Sequence, residues 1–327
     1  MLLLQRRLVL WTWSLLQVAS GLVLKPNRIA SGKRDAMAGK LLFMTAVGSK
    51  AASMDLVVKD VNHLRTHYTG DVDVFFMHYD GSNDAWLDRH GLWYAHNVRN
   101  RSLTRGIKFP LVSSVITDYR QIEDYSWVWV MDEDIDITQS DISKLFILAD
   151  ESESPIVGPA ISSPPGIVQP IINSPYARTP QSLVEGSETS NTWCNPGDPQ
   201  CLYQSADPKC RFSYTNFIEV MAPLFQPLAL WEILKVNTGT FSDRSVWGLD
   251  LVWCSLAAKV YAIPRKRGCA LIDKSPVIHT HGKSLPKYGP EQDKIQQQNV
   301  EQYNKVINSY AEDAVFTDGW WKPQCMQ

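Results

Sequence analysis

Five apolar residues, WVWVM at 127–131, run without a break into Asp132-Glu133-Asp134-Ile135-Asp136. No other stretch restricts the fold as much. A strand apolar on both sides must be covered on both faces, the environment of a central strand in a parallel sheet packed between helix layers. The acidic residues then mark its carboxyl end, and open α/β sheets bind ligands beyond the carboxyl ends of their strands. Carboxylates crowded there repel one another unless a cation intervenes, and a hard divalent ion, Mn²⁺ or Mg²⁺, is the natural one. The competing reading is a solvated turn that caps the next helix. Asp-x-Asp alone decides little, since Asp71-Val72-Asp73 repeats it.

Neighbouring segments agree with such a sheet. Leu41–Val47 is an apolar run suited to a buried strand, Leu56, Val57, Val61 and Leu64 recur at helical spacing within 54–64, and 72–77 is a second strand. Residues 110–116 begin a helix with Pro110 in its first turn, where the missing N–H is tolerated. Ser140 or Asp141 caps a helix through Leu148, and 156–161 is a further strand. Strands alternating with helices predict right-handed crossovers and a mixed, mainly parallel α/β sheet flanked by helices in a single domain. Residues 162–213, rich in Pro, Ser, Asn and Gly, read as a long cysteine-containing loop region. Beyond it, 217–224 reads as a strand and 228–236 and 249–260 as helices. Val300, Tyr303, Ile307 and Tyr310 form the apolar stripe of a last helix within a C-terminal segment, 291–327, that also carries Trp320-Trp321.

With 44% hydrophobic and 20% charged residues in 327, the chain has the composition of a globular domain and not of a disordered one. Thirty-two Lys and Arg against 34 Asp and Glu leave a net charge of −2, so no global basic field points to nucleic acid. Residues 1–24 place Arg6 and Arg7 before an apolar run, with Val18-Ala19-Ser20 suited to cleavage ahead of Gly21. They read as a signal peptide or, uncleaved, as a membrane anchor with the remainder in the lumen. Residues 25–39 are a polar linker to a main domain at 40–290. Both leaders predict the secretory pathway, either the Golgi lumen behind a type II anchor or secretion. Six cysteines suit disulfides there. Cys194, Cys201 and Cys210 share the loop region, where at least one bridge is expected. Asn100-Arg101-Ser102 is the single glycosylation sequon.

No two glycines are separated by one residue, which removes the G-x-G-x-x-G dinucleotide fingerprint, and G-x-S-x-G and H-E-x-x-H are also missing. Two further features stand out. Trp247-Gly248-Leu249-Asp250 introduces a helix that Asp250 could cap. Pro276-Val277-Ile278 leads into His279-Thr280-His281, a strand that could project an imidazole into a site.

Together these motifs resemble a family of plant, algal and bacterial proteins often labelled "lysine-ketoglutarate reductase trans-splicing related" and similar to GT-A glycosyltransferases. The resemblance runs from about Leu41 to Gly289. It is carried by LLFMTAVGSK at 41–50, FFMHYDG at 75–81, the stretch from Lys108 to Asp134, Trp193-Cys194, Phe217 to Pro223, Val246 to Asp250, and Val277-Ile278-His279. The missing glycine fingerprint gives the word reductase no support.

The GT-A resemblance implies a nucleotide-sugar donor over the sheet and a divalent ion on its diphosphate. Asp132 and Asp134 match the metal motif, and His279 matches the histidine that completes coordination. Asp250 falls where inverting members carry a general base. Asp80, Lys108 and Glu133 are implied on the donor side, and Trp193 and Trp247 on the acceptor side. The implied reaction is transfer to a glycan or glycoprotein hydroxyl with inversion. The rival readings are a glycoside hydrolase using Asp134 and Asp250 and a non-catalytic lumenal carbohydrate-binding protein.

Overall fold

A computed structural model describes residues 39–162, 206–237, 249–250, 253–280 and 324–327, with backbone alone at 193–194 and 320–321. The leader, the linker, Trp247 and the helix expected around 300–310 lie outside the described residues. Among the described residues no helix is long and apolar enough to cross a membrane.

The first half follows the expected alternation. β1 (Leu41–Val47) is buried along its whole length. It pairs in parallel with β2 (Val72–His78) on one side and β4 (Trp127–Asp132) on the other. The crossover from β1 to β2 is α1 (Ala51–His67), whose buried Met54, Val57, Val61 and Leu64 recur at three- and four-residue intervals. α2 (Asp84–Asn97) leads to the short β3 (Asn100–Ser102), which pairs with β2 at the sheet margin. α3 (Lys108–Val115) precedes β4, and β5 (Ile135–Asp136) follows it. α4 (Ile142–Ser152) starts on Asp141, whose side chain accepts a 2.9 Å bond from the Lys144 N–H, and stops at left-handed Glu153 (φ 54°). β6 (Ile156–Ser162) completes this half.

The second half is antiparallel in character. It comprises β7 (Trp193–Cys194), β8 (Phe212–Thr215), β9 (Leu224–Phe225), α5 (Pro227–Asn237), α6 (Trp253–Val260), β10 (Cys269–His279), β11 (Trp320–Trp321) and β12 (Gln324–Met326). The main sheet runs β12-β8-β10-β6-β9-β4-β1-β2-β3, with β5 against the end of β10, while β7 and β11 form a separate pair. The long pairings are parallel and the antiparallel ones are all short, so the sheet is mixed.

Side chains of β4 divide between two cores. Trp127, Trp129 and Met131 join the α1 and α4 face, and Val128 and Val130 join the α3, α5 and α6 face. This is the two-sided burial that WVWVM implies. The strand is parallel to β1 but antiparallel to β9, so it is not flanked by parallel strands on both sides.

Two expectations need correction. The segment 217–224 is not a strand: only Leu224 and Phe225 pair regularly, because Pro223 has no N–H to extend the ladder. Its carbonyl and that of Met221 instead accept bonds from Val130 N (3.0 Å) and Asp132 N (2.8 Å). The helix expected from Leu249 begins at Trp253, leaving Asp250 in the preceding turn. Of the loop-region cysteines, Cys210 is bonded to Cys325, while Cys201 lies outside the described residues; another bridge joins Cys254 to Cys269.

Candidate functional site

The end of β4 and the end of β10 are built into one corner. β5 pairs antiparallel with β10 so that His279 lies opposite Ile135 and Ile278 opposite Asp136. Thr280 closes the corner: its N–H and its hydroxyl both donate to the Asp134 carbonyl at 2.9 Å. His279 Nε2 then stands 3.2 Å from Asp134 Oδ2, across 145 residues of chain. Helix α1 supports the corner from below. Asp60 Oδ1 accepts the Ile137 N–H at 3.0 Å, and His63 Nε2 donates to the Ser140 carbonyl at 3.0 Å. Ser140 and Ser275 hydroxyls bond the Pro276 and Asp141 carbonyls at 2.6 and 2.9 Å, fastening the start of α4 to β10.

Asp132 has a different partner. Its Oδ1 is 2.6 Å from the ammonium of Lys108, the first residue of α3, which is only 6% exposed. Lys108 also donates to the Val220 carbonyl. A lysine this buried requires a partner. Glu219, one residue before Val220, supplies further negative charge. It is buried, and its Oε1 accepts the Val220 N–H at 3.2 Å. Burial pushes the Glu219 carboxyl up to about 7, with Lys108 opposing the rise and Asp132 adding to it. Burial likewise raises Asp132 against the pull of Lys108. For His279, burial alone would lower the pKa, but the hydrogen bond and charge of Asp134, helped by Asp132 and Glu219, carry it above its usual value.

Glu133 plays a different part. Its Oε2 accepts the Gly48 N–H at 2.8 Å and its Oε1 accepts the Tyr79 hydroxyl at 2.7 Å, so both oxygens serve the ends of β1 and β2. A Cβ at position 48 would lie 2.1 Å from the Tyr79 oxygen, so only glycine lets the phenol reach this carboxylate. Asp80 occupies the following turn, half-buried, with its Oδ1 accepting the Ser82 N–H at 3.3 Å. Asp250 is buried in the turn before α6. Trp193 contributes β7 backbone, paired with Trp321.

The structure therefore brings together Asp132, Asp134, His279 and Lys108 and adds Glu219, a residue without an expected role. The signal for Glu219 was present: it is the single charge in the apolar stretch 217–225, and a carboxylate in such a run is buried or functional.

Among the described residues no three His, Cys, Asp or Glu side chains form a ready-made metal cage. The donor set nevertheless fits an ion that substrate phosphates help to hold, the usual arrangement for Mg²⁺. An oxygen and a nitrogen 3.2 Å apart are spaced like adjacent ligands of an octahedral ion, which stand about 3 Å apart for bonds of about 2.1 Å.

Residues 12–324 match the family described as "Protein of unknown function (DUF707)". The chain belongs to that family. The description names no reductase activity. No curated protein matches the chain. Among solved structures it is similar to S. aureus TarS 1–349, at 13% identity and a TM-score of 0.42, covering 83% of this chain and 73% of that one. The same TarS fragment with UDP-GlcNAc gives 12% identity, a TM-score of 0.46, and 82% and 67% coverage. The mannosyltransferase PcManGT from Pyrobaculum calidifontis, in complex with GDP-Man and Mn²⁺, gives 13% identity and a TM-score of 0.45. That alignment covers 83% of this chain but only 65% of the mannosyltransferase.

Proposed function

We propose that this DUF707 protein is a glycosyltransferase that moves a sugar from a nucleotide-sugar donor to a hydroxyl of a glycan or glycoprotein in the secretory pathway, with inversion at the anomeric carbon. The observation that carries the reading is the corner itself: Asp134 and His279 within 3.2 Å of each other, with the buried Lys108–Asp132 pair completing the charge cluster.

Asp134 and His279 would hold Mn²⁺ or Mg²⁺, with Asp132 beside them. When bound, such an ion supplies Lewis-acid stabilisation of the departing diphosphate. Lys108 offers a fixed positive charge at the same end of the sheet, preorganised by Asp132 and the Val220 carbonyl, and suited to phosphate oxygens. Glu133 positions rather than binds, holding Gly48 and Tyr79 so that the ends of β1 and β2 keep their shape under the donor. Asp80 is the nucleotide contact from the β2 turn. Asp250 takes the acceptor hydroxyl proton as the acceptor oxygen bonds to the anomeric carbon and the C–O bond to the nucleoside diphosphate breaks. A positioned base of this kind contributes about 10²–10⁴-fold. Trp193 and Trp247 form the acceptor side. The two disulfides among the described residues are in keeping with a secreted or Golgi-lumenal protein, whether its leader is cleaved or retained as an anchor.

The test is a panel of UDP-, GDP- and CDP-sugars with and without Mn²⁺, read by melting temperature and by release of the nucleotide. One donor at 100 times its Kd should stabilise the fold by about 2.7 kcal/mol and be consumed. Asp250→Asn should retain that stabilisation and lose turnover. Glycan binding with no donor consumed would replace the transferase by the carbohydrate-binding alternative.

A further inference from the structure

The two margins of the main sheet are finished differently. At one end β12 pairs with β8 and is bonded to it through Cys210–Cys325. At the other, β3 pairs with β2 alone among the described residues, and its Asn100 and Arg101 are exposed. That strand is the sequon: Asn100, Arg101 and Ser102. Asn100 and Arg101 are exposed, Ser102 is half-buried, and the Asn100 amide makes no hydrogen bond among the described residues. Leu103, 46% exposed, follows directly. An unpaired strand edge next to an exposed leucine is a template for association with another chain and is ordinarily blunted.

We propose that Asn100 carries an N-linked glycan that covers the open β3 edge. The claim rests on the secretory reading made under Proposed function, not on sugar transfer by the protein itself. Asn-x-Ser is the acceptor pattern for this modification. The donor is an oligosaccharide on a polyprenyl diphosphate. The Asn100 Nδ2–C1 bond forms, the C1–O bond to the diphosphate breaks, and one amide proton is released. Transfer to the emerging chain precedes folding, so the fold has only to tolerate the product. An exposed, unengaged side chain on a marginal strand does so. Within a strand Asn100 and Ser102 lie on one face, with Arg101 on the other.

The full chain made in a eukaryotic secretory host should lose the mass of one glycan on treatment with peptide N-glycosidase, leaving Asp at position 100. Asn100→Gln and Ser102→Ala should each abolish that shift, while Ser102→Thr should preserve it. Thiol alkylation of the same sample separates the two possible failures. Oxidised cysteines without a glycan overturn the site alone, whereas reduced cysteines without a glycan overturn the secretory reading as well. The covering role predicts that Asn100→Gln self-associates at concentrations where the glycosylated chain is monomeric. A monomeric Asn100→Gln protein overturns that role.

Discussion

The half of the sheet built from β1, β2, β4 and α1 and the half built from β8, β10, β12 and α6 solve the same problem by different means. In the first, helices α1 and α2 make the crossovers β1 to β2 and β2 to β3, and stability comes from side chains such as Trp129 and Phe43, which meet edge to face at 5.9 Å between two buried layers. In the second, partners are distant in sequence and pairings are short, and the bridges Cys210–Cys325 and Cys254–Cys269 supply what local contacts do not. Gly268 shows how closely the parts fit: a Cβ there would lie 2.1 Å from the Cys254 carbonyl oxygen. The candidate site straddles the boundary. Asp132 and Asp134 belong to the half held by packing, and His279 belongs to the half held by cross-links.

The largest test of that contrast is removal of Cys210–Cys325. With the cysteines 115 positions apart in sequence, its loss should cost about 4–5 kcal/mol by the chain-entropy estimate. Hydrogen exchange should show β12 and β8 loosened and β1 protected; equal loss in both halves would break the comparison. Trp129→Ala, in the packed half, should cost about 4 kcal/mol in denaturant unfolding with both disulfides intact. Removing Cys254–Cys269, 15 residues apart, should cost about 3 kcal/mol and free the start of β10 from α6.

Smaller effects sharpen the picture at the seam. Asp60 is fully buried, and burial holds its carboxyl well above the usual range, opposed by the Ile137 hydrogen bond and reinforced by Asp136. A raised folded pKa means stability that is full below about pH 4 and is lost as pH rises toward the folded value. Asp60→Asn keeps an oxygen for Ile137 and removes the titration. It should therefore gain on the natural chain as pH rises from 4 to 8, in melts across that range. Asp141→Ala should cost about 0.5–1 kcal/mol through the lost α4 cap.

The packed half was legible because its periods are clean. WVWVM alternates between two cores, and the α1 stripe recurs on schedule. α2 escaped because Trp86 and Tyr94 are its only buried residues and its backbone kinks at His90, so no apolar period survives. β10 was legible only at its end. Asp273, facing inward to accept bonds from Asp207 N and the Ser213 hydroxyl, breaks the apolar run where the pairing with β6 shifts register. In the site, Asp134 and His279 could be anticipated as partners through the family resemblance. The Lys108–Asp132 ion pair could not, because the Val220 carbonyl that shares Lys108 lies on an irregular segment whose course is set by Pro223, whereas Glu219 was marked as the single charge in an apolar run. Cysteine pairing was hidden for a simpler reason: six cysteines allow fifteen arrangements.

The late position of β10 and Cys325 sets an order of events on the ribosome. Chains emerge amino end first, so β1, α1, β2 and β4 can dock while the imidazole at 279 is still untranslated. Cys210 must then wait as a thiol until its mate at 325 has been made, a long interval in which a wrong partner is available. Oxidative folding catalysts would therefore govern the yield of competent protein more than the intrinsic speed of its first half.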